Sequence, residues 1–184
     1  MEKWMIASDI HGSALYCRKL LELLEASHAS RLLLLGDLLY HGPRNDLPAE
    51  YDPKAVAAML NRCRSRLLCV RGNCDAEVDQ MVLEFPILAE YAAFPVGDRL
   101  LYAAHGHHCG EDTPPPLMNG DLLLCGHTHI PKVAEKQGYT YLNPGSVALP
   151  KEGSRHSCLF LQDGVFTWVD VETGGAYQTY RLTR

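Results

Sequence analysis

Aspartate, asparagine and histidine recur at the ends of short apolar runs. KWMIAS leads to Asp9 and His11, RLLLLG to Asp37, RLLCVRG to Asn73, RLLYAA to His105, and DLLLCG to His127 and His129. Any one of these is explained by a turn, which Asp and Asn favour. Five in succession point to a shared site. The donors are oxygen and nitrogen, and cysteine is absent from the recurring set, so a thiolate zinc site fits poorly. Seven ligands exceed what one transition metal takes and suit two, with one carboxylate bridging them. A shared water would raise the coordination above that of structural zinc, which leans toward Mn²⁺, with Fe²⁺ or Zn²⁺ as alternatives. Two divalent cations roughly 3.5–4 Å apart acidify a shared water and clamp phosphoryl oxygens during in-line attack. The reaction class is therefore phosphoester hydrolysis by a metal-bridging hydroxide at a dinuclear site.

The elements that must position these residues follow from the same runs. Each run has strand length and little polar alternation, as in strands covered on both faces. The first three alternate with helical patterns at 16–26, where Leu20, Leu23 and Leu24 share a face, and at 53–63, where Val56, Met59 and Leu60 do so after Pro53. Strand, helix, strand, helix, strand is the pattern of βαβ units. Later, VGDR (96–99), KQGYTYL (136–142) and QDG (162–164) are hairpin turns. They predict a second, largely antiparallel sheet packed on the first. The class is α/β: a two-sheet β-sandwich flanked by helices, with the active site at the C-terminal ends of the strands. Residues 1–184 are expected to form a single domain, with EDTPPPLMNG (111–120) a loop within it.

Composition narrows the partners. The net charge is −5 with no basic run, so bulk nucleic-acid binding, which needs a Lys/Arg footprint, is not expected. Two divalent cations would nonetheless leave the site mouth positive for a small anionic ester. The apolar stretches are strand-sized, which excludes a helical membrane span. The N-terminal apolar stretch is too short for a signal-peptide core. Seven cysteines, an odd number without paired spacing, predict reduced thiols in a cytoplasmic protein. Apolar strands late in the chain are expected to be exposed and to support a homo-oligomer.

In order, D-x-H (Asp9, His11), G-D (Gly36, Asp37), G-N-C-D (Gly72 to Asp75), H-G-H (His105 to His107) and G-H-T-H (Gly126 to His129) resemble the signature of the calcineurin-like metallophosphoesterases. The short chain and the NPGS at 143–146 resemble its small bacterial YfcE-type phosphodiesterases. The resemblance implies a metallophosphoesterase fold with one metal on Asp9, His11, Asp37 and His129, and another on Asp37, Asn73, His105 and His127. Asp37 is the bridge, and Asp37, Asn73 and His105 form the catalytic set. Many members of the superfamily carry His directly after the Asn, whereas Cys74 stands there in this chain. A thiol is a weak donor with an ordinary pKa near 8.5, so Cys74 reads as a small residue beside the substrate that leaves poor leaving groups hard to expel. Asp75 caps the next segment or orients a neighbour.

Other candidates are weaker. His107 is a candidate substrate contact, His108 faces solvent, and His41 and Arg44 follow the bridging Asp37 in YHGPRN as further substrate-binding candidates. His28 and His156 read as surface residues, Asn143 as a turn residue, and Cys109 has no role. A phosphodiesterase is the leading function. A phosphomonoesterase would use the same metals, and a binding scaffold of the same fold, similar to a retromer subunit with a decayed metal site, is disfavoured by the complete ligand set. A thiol or redox enzyme lacks a C-x-x-C pair.

Overall fold

The computed structural model describes residues 2–182. In chain order the elements are β1 (Trp4–Ala7), α1 (Ala14–Ala26), β2 (Arg31–Leu34), α2 (Pro53–Arg62), a short 3₁₀ turn (Arg64–Arg66), β3 (Leu67–Cys69), α3 (Glu77–Gln80), β4 (Tyr91–Val96), β5 (Arg99–Ala104), β6 (Asp121–Leu124), β7 (Lys132–Lys136), β8 (Tyr139–Asn143), β9 (Ser157–Gln162), β10 (Val165–Asp170) and β11 (Ala176–Arg181). The two longer helices, α1 and α2, start where the sequence supplies caps. Ser13 Oγ accepts the Tyr16 amide at 3.3 Å, and Asp52 Oδ1 accepts the Ala55 amide at 3.0 Å with Pro53 in the first helical turn.

The strands form two sheets, ordered β11-β10-β9-β1-β2-β3 and β4-β5-β6-β8-β7. In the first, β1, β2 and β3 are parallel, β9 pairs antiparallel with β1, and β10 and β11 each add antiparallel to the strand before. The hairpins at VGDR, KQGYTYL and QDG all form. The second sheet departs from the largely antiparallel expectation. It is mixed, because β5–β6 and β6–β8 are parallel. The connection from β5 to β6 is a loop rather than a helix, so the parallel pairing leaves no helical signature between the two runs.

Alternation along the central strands explains their unbroken apolar sequences. Met5, Ala7, Leu32 and Leu34 pack with Leu20, Leu24, Val56 and Leu60 of the helices. Ile6 and Leu33 point the other way, into a core shared with Leu101, Leu122, Leu124 and Trp168. Period-two side-chain direction thus buries both faces of β1 and β2. The two sheets are tied at the ligand-bearing end, where Trp168 Nε1 donates to the Asn143 carbonyl at 2.7 Å.

Two expectations change. The last three strands do not present an apolar surface: the large apolar side chains left exposed among the described residues, Val78, Met81, Val82 and Met118 among them, all precede β9. His156 is only half-buried at the surface; its ring stacks on Tyr16 at 3.8 Å and its Nδ1 donates to the Val147 carbonyl. No described helix is long and apolar enough to cross a membrane.

Candidate active site

The loops after β1, β2 and β3 leave the first sheet side by side, and those after β5 and β6 leave the second. Backbone pairing continues beyond the strands: Asp9 N donates to Gly36 O, His11 N to Asp37 O, and Gly126 N to His105 O. Motif glycines let the loops touch. A Cβ on Gly36 would lie 2.3 Å from Gly72 N, and one on Gly126 would lie 1.9 Å from Ser8 Oγ. Neither contact is sterically allowed, so G-D and G-H are packing requirements as well as ligand positions.

The backbone at the ligands is unusual. Asp9, His11, Asp37, His127 and His129 all have φ between 48° and 65°, a left-handed conformation that L-residues other than glycine adopt rarely. Each turns its side chain inward at the end of its strand.

The side chains converge in two groups. In the first, Asp9 Oδ1 lies 3.4 Å from His11 Nε2 and 3.2 Å from His129 Nε2, and the two imidazole nitrogens are 3.2 Å apart. In the second, His105 Nε2 lies 3.0 Å from Asn73 Oδ1 and 3.2 Å from His127 Nδ1. Asp37 Oδ2 stands between them, 3.6 Å from His11 Nε2 and 3.5 Å from His105 Nε2. The structure therefore brings together all seven residues singled out at the strand ends. Asp9, His11, Asp37, His105 and His129 are buried, whereas Asn73 and His127 open toward solvent.

Hydrogen bonding fixes which atoms face inward. The Nδ1 atoms of His11, His105 and His129 donate to the carbonyls of Tyr40, Leu35 and Leu149 at 2.8, 2.7 and 2.6 Å. A carbonyl only accepts, so in the neutral ring each Nε2 is a bare acceptor aimed at other acceptors. Asp9 Oδ1 is buried with no hydrogen-bond partner. Acceptors packed this way need a cation or protons between them. Two ligands about 2.1 Å from one ion at the tetrahedral angle lie roughly 3.4 Å apart, which matches these separations. The donor set fits two divalent cations sharing Asp37.

Without cations His105 and His11 take up protons instead. Burial opposes charge on His105, but Asp37 and Asp9 outweigh it and push it up to about 9. His11 is likewise raised, burial being overcome by Asp9. Burial also opposes charge on Asp9 and Asp37, yet the histidines hold both carboxyls below their usual range.

Surrounding residues hold the cage. Asp75 accepts the amides of Asp37 and Gly72 on Oδ2, at 2.8 and 2.7 Å, and that of Leu38 on Oδ1 at 2.9 Å. Cys74 N donates to Asp37 Oδ1 at 2.8 Å. Asn143 does form the expected turn, its Oδ1 accepting the Gly145 amide, and it does more: its Nδ2 donates to the Gly126 carbonyl and to Thr128 Oγ1, bracing the loop of His127 and His129. Ser146 Oγ donates to the Asp9 carbonyl at 2.8 Å.

A cleft of about 430 Å³ opens over both groups, lined by His11 and His129 of the first, Asn73 and His127 of the second, and by Asp37, Arg44, Cys74 and Lys151. Arg44 and Cys74 thus stand where substrate contacts were expected. His41 does not, since its ring lies edge-on between Tyr40 and Tyr51 and lines no part of the cleft. His107 is also outside the lining, its ring 6.2 Å from that of His127. Lys151 was not foreseen; its only sequence signal is a basic residue a few positions after NPGS. Burial, reinforced by the Asp37 carboxylate, pushes the Cys74 thiol up to about 12, so it stays protonated at neutral pH.

Residues 3–163 match the calcineurin-like phosphoesterase superfamily domain. The chain is 46% identical over 168 residues to phosphodiesterase YfcE of Escherichia coli K12, covering 91% of each protein. It is similar to the solved structure of the E. coli phosphoesterase YfcE, with a TM-score of 0.94 and 40% identity over 98% of this chain and 100% of that one. Vps29 of Chaetomium thermophilum shares the fold, with a TM-score of 0.63 at 19% identity over the full length of both chains.

Proposed function

The chain belongs to the calcineurin-like phosphoesterase superfamily, and on that premise we propose that it hydrolyses a small phosphodiester at the cleft over Asp37. Asp9, His11, Asp37 and His129 would hold one divalent cation, and Asp37, Asn73, His105 and His127 the other. The observation that carries this reading is the position of Asp37 Oδ2, 3.6 Å from His11 Nε2 and 3.5 Å from His105 Nε2. When bound, such a pair of cations supplies an acidified water and draws charge from phosphoryl oxygens.

The residues of the chain do the rest. Asp9 and Asp37 supply the negative charge that would retain two cations, and the carbonyl bonds to Nδ1 hold the imidazoles of His11, His105 and His129 in the binding tautomer, whereas His127 faces the site with Nδ1. Arg44 and Lys151 place positive charge on the cleft wall, suited to the non-bridging oxygens of a diester. Cys74 Sγ receives a hydrogen bond from Asn73 Nδ2 at 3.3 Å and is too weak an acid to protonate a departing alkoxide. The site therefore favours esters whose leaving group departs as a stable anion. We assign Mn²⁺ as the native metal, with Fe²⁺ or Zn²⁺ as substitutes, on the basis of an all-oxygen-and-nitrogen donor set. The cytoplasm is the proposed compartment, since all seven cysteines are free thiols, as a reducing environment keeps them.

The test is hydrolysis of a bis-aryl phosphate and the matching mono-aryl phosphate by metal-stripped protein, before and after Mn²⁺. Activity that appears with metal and favours the diester is expected. A monoester preference, or no turnover with any divalent ion, overturns the proposal.

A further inference from the structure

Beside the dinuclear cluster, and sharing no ligand with it, Glu90, His107 and His108 present a carboxylate oxygen and two imidazole nitrogens that all lie within 4.8 Å of one another. We propose that these residues form a third metal site, for a single divalent transition ion of the Zn²⁺, Ni²⁺ or Cu²⁺ class.

The geometry is that of ligands around one ion. His108 Nδ1 lies 3.4 Å from Glu90 Oε2, the separation of roughly 3.4 Å that two ligands adopt on a tetrahedral ion. The rings of His107 and His108 are 3.9 Å apart and tilted 41°, so the two side chains lie side by side. His107 Nδ1 is buried and without a hydrogen-bond partner among the described residues, an uncompensated polar atom in the half-buried member of the trio. Glu90 divides its two oxygens: Oε1 faces Arg71 Nη1 at 3.8 Å, leaving Oε2 to His108. The nearby guanidinium weakens cation binding, so the site is one of moderate affinity.

Two imidazoles and one carboxylate favour borderline transition ions over Mg²⁺ or Ca²⁺, which prefer all-oxygen shells. Three protein ligands leave a coordination position open. Access is direct, since the His108 and Glu90 side chains are 73% and 50% exposed. The position matters as well. The His107 ring lies 5.4 Å from that of His105 and 6.2 Å from that of His127, so the ion would sit beside the second ligand group, outside the cleft lining, and would join the loop after β5 to the start of β4.

Zinc stoichiometry of the metal-stripped full chain, measured by calorimetric titration, tests this. Wild type should bind three equivalents, the weakest of them lost in His108→Ala and weakened about tenfold or more in Glu90→Gln. His108→Asp, which restores a ligand, should recover it. Both positions are exposed, so the variants are expected to fold, and circular dichroism checks that they do. The same number of equivalents in wild type and in His108→Ala would overturn the site. One equivalent in wild type and none in His108→Ala would support it while removing the dinuclear centre.

Discussion

Asp75 Oδ2 accepts the backbone amide of Asp37 at 2.8 Å, so the residue proposed as the bridge after β2 is held by a carboxylate from the loop after β3. The same side chain takes the amides of Leu38 and Gly72. A residue outside the proposed ligand set thereby sets the spacing between the loops of Asp37 and Asn73. Asp75→Ala leaves three buried amides without an acceptor, each costing about 1–3 kcal/mol. The variant is expected to melt well below wild type, and Asp75→Asn to fall between them. Unchanged thermal stability and Mn²⁺ affinity in Asp75→Ala would show that the clamp is dispensable.

Asp37→Asn tests the bridge. Losing residues that merely orient ligands costs about 10–100-fold in metal affinity or activity, and a shared ligand should cost more. Turnover should fall on the order of a hundredfold or beyond, and both metal-binding steps should weaken. A titration in which only one step moves would assign Asp37 to a single ion.

The histidine charges make stability depend on pH and metal in opposite senses. Burial opposes the charge, but Asp37 and Asp9 push His105 up to about 9 from an ordinary 6.5. A raised value stabilises the metal-free fold fully below about pH 6.5, by on the order of 3 kcal/mol, and this fades as pH rises to about 9. A cation competes for the same lone pair, so metal affinity climbs across that window as protons are released. Chelator-treated protein should lose Tm from pH 6.5 to 9 while Mn²⁺-loaded protein holds or gains it. Parallel losses in both would contradict the assignment.

Cys74→His introduces a competent acid where the thiol, pushed up to about 12 by burial and then by Asp37, cannot serve. The ligating contact of the loop is spared, because Asp37 Oδ1 is held by the Cys74 backbone amide. Alkyl diesters, which need leaving-group protonation, should gain about tenfold or more, and aryl diesters less than about twofold. Equal gains on both would mean that Cys74 acts on something other than departure.

Much of this arrangement was legible in the sequence, for a physical reason. A strand buried on both faces is an apolar run, and a ligand at its end interrupts that run with a charge, so Asp9, Asp37, His105 and His127 mark themselves. The supports do not. Asp75 and Asn143 act on backbone amides and carbonyls, which carry no residue identity, and Lys151 reaches the cleft only through tertiary packing. His41 misled because a polar residue near a ligand in sequence can turn its ring away, here between Tyr40 and Tyr51. The mixed pairing of β5, β6 and β8 was hidden because apolar periodicity fixes which face a residue takes and says nothing of strand direction.

The left-handed backbone at Asp9, His11, Asp37, His127 and His129 has a bearing on how such a chain can drift. Conformations of this kind cost of order 1–3 kcal/mol each, and glycine adopts them freely. Replacing any of the five by glycine removes a proposed ligand and its strain together. A lineage of this fold released from selection for catalysis therefore has a downhill path to an inert and sturdier descendant.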